Sequence, residues 1–184
     1  VTFNLPNLLS LFRMALVPVF VVTILDGNVE RALWVFAVAG ITDGLDGAIA
    51  RIWKQQTVLG AYLDPAADKL LLVSAYVMLA IPNLHAGTVI PVWVSALVIA
   101  RDIVIVVVAL LLYLASGVTR FPPSPLSKVN TGSQVAVVLL VLLSGLDQRL
   151  GPIALFGTYA VAVLTVASGV DYILRANRSV GGRE

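Results

Sequence analysis

The sequence predicts an all-α, polytopic membrane protein with six transmembrane helices. Three observations carry that expectation. The chain is 59% hydrophobic and only 12% charged, whereas a soluble domain carries about 25% charged residues. Its mean hydropathy is +0.98, which leaves too little polar surface to face water. Its apolar residues also fall into six blocks, each near the ~20 residues that cross a bilayer core. At 184 residues there is room for one domain, 1–184.

The first block, 8–25, follows TFNLPN, which lacks the basic start of a secretory signal, and no small-residue cleavage site follows it. Pro6 suits the first turn of a helix, so a short interfacial helix can precede the span. The second block, 32–50, is reached through the turn signal Asp26-Gly27-Asn28. The third, 58–81, contains Pro65, which disfavours helical backbone at Asp64, so the span either begins or kinks there. The fourth, 92–114, follows a loop at 82–91 that holds His85. The fifth, 129–146, follows the longest and most proline-rich connection, 115–128, and the sixth is 150–174. No internal repeat, low-complexity tract or soluble domain is evident.

Basic residues set the orientation. With both termini on one side, that side receives Arg51, Lys54, Arg120, Lys128, Arg175, Arg178 and Arg183, and the other only Arg31 and Arg149. An excess of positive charge marks the cytoplasmic side. Both termini are therefore expected in the cytoplasm, which in a bacterium is the inner face of the inner membrane. The isoelectric point near 9.2 is then explained by loops facing anionic lipid, and nucleic acid is not expected as a partner. There are no cysteines, which excludes disulfides and thiolate metal sites.

Residues 43–68 read DGLDGAIARIWKQQTVLGAYLDPAAD. Asp43 and Asp46 are three apart and Asp64 and Asp68 four apart, so on helices each pair shares a face, with Cβ atoms about 5–6 Å apart. A carboxylate within an apolar helix costs about 2.5–3.5 kcal/mol on insertion scales. Packing gives no reason for that cost, whereas cations would. Aspartate oxygens are hard ligands that suit Mg²⁺ or Mn²⁺. Two such ions would balance four carboxylates, and metals about 3.5–4 Å apart can clamp a diphosphate for in-line displacement. Acid placement alone fits an intramembrane cation site of a transporter equally well. However, the motif's acids crowd one membrane face and only His85 marks the other, which weighs against a pathway open to both sides.

The fixed positions Asp43, Asp46, Gly47, Ala50, Arg51, Gly60, Asp64 and Asp68, at this spacing, resemble the motif of the CDP-alcohol phosphatidyltransferases, membrane enzymes that make phospholipid headgroups. The starting PNLLSLFR and the VIP…ARD stretch of the fourth block extend the likeness over most of the chain. The resemblance implies transfer of a phosphatidyl group from CDP-diacylglycerol to a glycerol-type hydroxyl, with release of CMP, in a homodimer. It makes Asp43, Asp46 and Asp64 ligands of two divalent cations, Mg²⁺ or Mn²⁺. Asp68 becomes the general base, also touching a metal. Gly47, Ala50 and Gly60 are small enough to admit a nucleotide to the backbone, and Arg51 offers a planar fork for a phosphate. Gly40 and Gly44 read instead as a small-residue pair for helix packing.

Asn7, Ser10 and Arg13 recur at intervals of three and give the first span a polar face. Asn7 and Ser10 are expected to contact CDP or its phosphates. Arg13 is costly within a span and needs a phosphate or an internal aspartate. Lys69 reads as snorkelling to the lipid surface. Arg101-Asp102, halfway along the fourth span, is either a charge pair or a phosphate contact made by Arg101. The acceptor is read from LSKVNTGSQ at 126–134. Members of the family that use glycerol 3-phosphate typically show Lys-x-Lys-Thr there, a second cation for a dianionic phosphate. This chain has Lys128-Val129-Asn130-Thr131, resembling the CMP-forming cardiolipin synthases. An amide can hydrogen-bond the neutral glycerol of phosphatidylglycerol without demanding an anion. The expected acceptor is therefore phosphatidylglycerol, held by Arg101, Lys128 and Asn130, with glycerol 3-phosphate as the alternative.

Overall fold

The computed structural model describes the backbone of residues 5–52, 58–116 and 124–181, and the side chains of residues 8–43, 66–108, 114 and 124–175. The described residues are all-helical: α1 Leu5–Leu25, α2 Val29–Ile52, α3 Val58–Leu79, α4 Val92–Ser116, α5 Pro125–Ser144 and α6 Gly151–Gly181, with a 3-10 turn at Gln148–Leu150. Each apolar block is thus one helix.

Two boundaries, at α1 and α5, differ from expectation for local reasons, and the start of α3 agrees with it. α1 runs unbroken from Leu5, with Pro6 as its second residue, so among the described residues no separate interfacial helix precedes it. α3 starts at Val58 and continues through position 65; proline disfavours helix at the preceding residue but does not forbid it. α5 starts at Pro125, four residues before the expected 129. Ser124 holds extended backbone and its side chain accepts from the Ser127 N–H, while Pro125 occupies the first turn. A serine cap followed by proline is a strong start signal.

The helices pack both on chain neighbours, α1 on α2 and α5 on α6, and across one, α1 on α3 and α4 on α6. Phe20 of α1 meets Phe36 of α2 with ring centroids 5.8 Å apart. The Ser95 hydroxyl of α4 donates to the Tyr76 carbonyl of α3 at 2.9 Å. Thr165 of α6 donates to Asn130 Oδ1 of α5 at 3.1 Å. Phe20, Ile24, Phe36, Leu72, Tyr76, Leu79, Val94, Val138 and Leu142 form the centre of the core. The outer surface is equally apolar, with Trp34, Val106, Leu114, Phe156 and Val163 exposed. That surface suits lipid tails, which are as apolar as leucine. Among the described residues, Leu8–Leu25, Pro125–Ser144 and Gln148–Arg175 are long and apolar enough to cross a membrane. The chain is an integral membrane protein.

One end of the bundle is closed by the 80–91 segment. The Thr88 N–H donates to Ser144 Oγ at 2.9 Å and its hydroxyl to the Gly151 carbonyl. The ring nitrogens of His85 lie 3.2 and 3.1 Å from the carbonyls of Ala86 and Leu79, so this histidine pins the loop. Gly87, at φ +111°, lies directly against Gly145; a Cβ there would come within 2.6 Å of the Gly145 nitrogen. A Cβ on Gly145 would come within 2.4 Å of the Ala86 carbonyl oxygen. Gly87→Ala and Gly145→Ala are each expected to destabilise the protein by about 1–3 kcal/mol through overpacking. Gly87→Ala should be the worse because of its positive φ. Gly132→Ala, with nothing within 4 Å of its Cβ, should cause no loss. Thermal unfolding in detergent micelles checks the order.

Candidate active site

Helix α1 packs along both α2 and α3, and this brings one arginine to two aspartates. Arg13 is fully buried. Its Nη1 donates to Asp43 Oδ1 of α2 at 2.7 Å and to Asp68 Oδ1 of α3. One nitrogen therefore joins carboxylates from two helices. The aspartate side chains are 45% and 39% exposed, so the cluster is closed on the Arg13 side and open on the other.

A cavity of about 80 Å³ adjoins the cluster, lined by Arg13, Asp43 and Asp68 together with Phe36, Ala39, Gly40, Leu71, Leu72, Thr131 and Val135. Its walls are apolar apart from the three ionic residues and Thr131. The Thr131 hydroxyl donates to the Ser127 carbonyl at 3.2 Å, which holds it against α5. Thr131 was not singled out from the sequence; its only signal was its place in the Lys-x-Asn-Thr run. Gly40, read from the sequence as half of a packing pair with Gly44, lines this cavity, and a Cβ there would meet none of the described residues within 4 Å; Gly44 lies outside the described side chains.

A second ionic cluster lies at the same end. Lys69 Nζ pairs with Asp102 Oδ2 at 2.5 Å, so Lys69 does not snorkel to the lipid surface. Asp102 sits within an apolar helix and draws the lysine inward. Arg101 Nη1 reaches Asp102 Oδ1 at 2.9 Å. Arg101 Nη2 donates to Ser127 Oγ at 2.7 Å and to Ser168 Oγ at 2.5 Å. Arg101 is 7% exposed, and this node links α3, α4, α5 and α6.

The remaining sequence-derived residues fall as follows. Asp46, Gly47, Ala50 and Arg51 lie on α2 and Gly60 and Asp64 on α3, but their side chains, like those of Asn7 and Gly44, are outside the described residues. Ser10 is buried one turn before Arg13. Lys128 is exposed in the first turn of α5. Asn130 is buried and turned to Thr165 of α6. Asp171 pairs with Arg175 one turn later at 2.9 Å.

Two hard oxygens from separate helices thus converge on one point, a donor arrangement that fits an oxygen-seeking divalent cation. A family model described as CDP-alcohol phosphatidyltransferase matches residues 3–170. The chain belongs to the CDP-alcohol phosphatidyltransferases. It is similar to a probable phosphatidylglycerophosphate synthase of Mycobacterium tuberculosis, 38% identical over 97% of this chain and 84% of that one. A CDP-diacylglycerol–glycerol-3-phosphate 3-phosphatidyltransferase of Escherichia coli is 35% identical over 95% of both chains. A probable CMP-forming cardiolipin synthase of Drosophila melanogaster is 32% identical over 96% of this chain and 58% of that protein. The protein is a transferase of phospholipid biosynthesis.

The Arg101 node generates a stability prediction for this phosphatidyltransferase. Asp102→Ala is expected to cost about 3–5 kcal/mol, because Arg101 stays buried without a carboxylate. Ser168→Ala should cost about 1–3 kcal/mol for a lost bond to a charged group. Lys69→Gln should cost least, since Lys69 is the most exposed member of the node. Unfolding midpoints of the three variants in detergent give the ranking.

Proposed function

We propose that this phosphatidyltransferase moves the phosphatidyl group of CDP-diacylglycerol onto a terminal glycerol hydroxyl of phosphatidylglycerol, releasing CMP, at the Arg13–Asp43–Asp68 centre. The observation that carries this reading is the meeting of Asp43 and Asp68, the first and last acids of the motif, at one guanidinium nitrogen. Asp43, Asp46, Asp64 and Asp68 would hold two divalent cations, Mg²⁺ or Mn²⁺, which when bound supply positive charge at the diphosphate and acidify a hydroxyl. Asp68 accepts the proton of the acceptor hydroxyl. The hydroxyl oxygen bonds to the phosphorus that carries diacylglycerol, and the bond from that phosphorus to CMP breaks. Gly47, Ala50 and Gly60 let the nucleotide approach the backbone, while Arg51, Asn7 and Ser10 contact its phosphates. Thr131, which lines the same cavity as Asp68, orients the acceptor.

The acceptor follows from charge. Among the described residues at this end of the bundle, Arg13, Lys69 and Arg101 are each paired with a carboxylate, and exposed Lys128 is the cation assigned to the acceptor phosphate. One cation suits a phosphodiester better than a dianionic phosphomonoester. Asn130 accepts from Thr165 through Oδ1, and its Nδ2, which has no partner among the described residues, would donate to the acceptor's glycerol. The second reading, glycerol 3-phosphate, is favoured by the similarity over 95% of both chains to the Escherichia coli enzyme named for that acceptor. All six helices are proposed to span the membrane, with both termini and the active site at the cytoplasmic face and the protein a homodimer. The distribution of basic residues supports the orientation, and family resemblance supports the dimer.

A CMP-release assay tests the chemistry and the acceptor together. Asp43→Asn and Asp68→Asn should each lower turnover by at least about a hundredfold. Excess chelator should abolish turnover until Mg²⁺ or Mn²⁺ is restored. Phosphatidylglycerol should support release and glycerol 3-phosphate should not; the opposite pattern would reassign the acceptor, and undiminished turnover in chelator would remove the metal mechanism. For orientation, a single cysteine at Arg175 should label only from the cytoplasm and one at Asn83 only from outside. Labelling of position 175 in intact cells would invert the topology.

A further inference from the structure

We propose that Arg13 is the resident cation of the carboxylate cluster: in the metal-free protein it holds Asp43 and Asp68 together, and divalent cations take over that charge balance when they bind. The proposal rests on the divalent-cation reading of the site. Arg13 is among the largest fully buried side chains of the described residues and belongs to a helix outside the 43–68 motif. A buried guanidinium in an apolar span persists only with partners. Among its partners are two carboxylates that would otherwise repel each other across α2 and α3. A single nitrogen serves both, so the guanidinium stands at the point where their oxygens converge.

Two further features suit a cation that can yield. Both aspartates are open on the side away from Arg13, so an ion can reach them without first removing the arginine. The cavity of about 80 Å³ adjoins Arg13 and is walled there by Ala39, Gly40, Leu71 and Leu72. It gives the guanidinium room to shift once the carboxylates have turned to other ligands. Arg13 is thus a positioning residue that keeps the two acids in place between turnovers.

A purely structural tether would stabilise the metal-free and metal-loaded protein alike, whereas a resident cation stabilises the metal-free form more. The test measures the unfolding midpoint of the full chain in detergent, in EDTA and in saturating Mn²⁺. Arg13→Gln should lower the midpoint in EDTA, and Mn²⁺ should recover most of the loss, so that the metal-induced rise roughly doubles relative to the parent protein. Arg13→Lys, which keeps the charge, should fall between the two. Should Arg13→Gln fail to fold in EDTA, Arg13→Gln with Asp43→Asn removes the repulsion and should fold there with a higher midpoint. Equal Mn²⁺-induced rises in the parent and in Arg13→Gln would overturn the resident-cation role alone. So would a double variant no more stable in EDTA than Arg13→Gln. A parent protein unmoved by Mn²⁺ would overturn the divalent-cation reading and this proposal with it.

Discussion

Charge inside an apolar bundle must find its opposite, and the Arg13–Asp43–Asp68 contact is where this chain meets that requirement most severely. Leaving one member of a buried pair alone costs about 3–5 kcal/mol, set against a typical net stability of about 5–15 kcal/mol. The placement of α1 against α2 and α3 therefore cannot be separated from the contact. A hydrophobic face could pack in several registers with little difference in energy. A guanidinium that must reach oxygens on two helices accepts one. The second cluster, Lys69–Asp102–Arg101 with Ser127 and Ser168, imposes the same discipline on α3 to α6.

Polar groups are sorted by this constraint along the bundle. Among the described residues, the ion pairs collect at the end that holds Asp43 and Asp68. The other end is held by neutral hydroxyls, backbone carbonyls and close glycine contact. Between them lie buried amides on α5, where Asn130 Nδ2 and both amide atoms of Gln134 lack a hydrogen-bond partner among the described residues. Buried polar atoms are nearly always satisfied in folded proteins. Their clustering one turn apart, next to the residue that lines the cavity, makes this stretch of α5 a place where a water or substrate hydroxyl would be well received.

The helices were legible because each coincides with an apolar run of bilayer length, and the motif because its acids and glycines are local in sequence. What escaped was set by tertiary contact or by a short-range cap. The start of α5 was misplaced because Ser124 and Pro125 look like more proline-rich loop to a hydropathy pattern, whereas capping is decided by a few atoms. Arg13 could be seen to need an anion, but its choice of Asp43 and Asp68 depends on how α1 docks. Lys69 and Asp102 are on different helices, and no periodicity pairs them. The hydrogen bond from Thr165 to Asn130 Oδ1 depends on how α5 meets α6, which no local pattern encodes.

The contact between Gly87 and Gly145 has a mechanical consequence. Backbone lies on backbone there with no side chain between, so there is no rotamer to yield and no cushion to compress. The spacing between the 80–91 segment and the turn after α5 is therefore set by main chain alone, and any added atom there must part the two backbones.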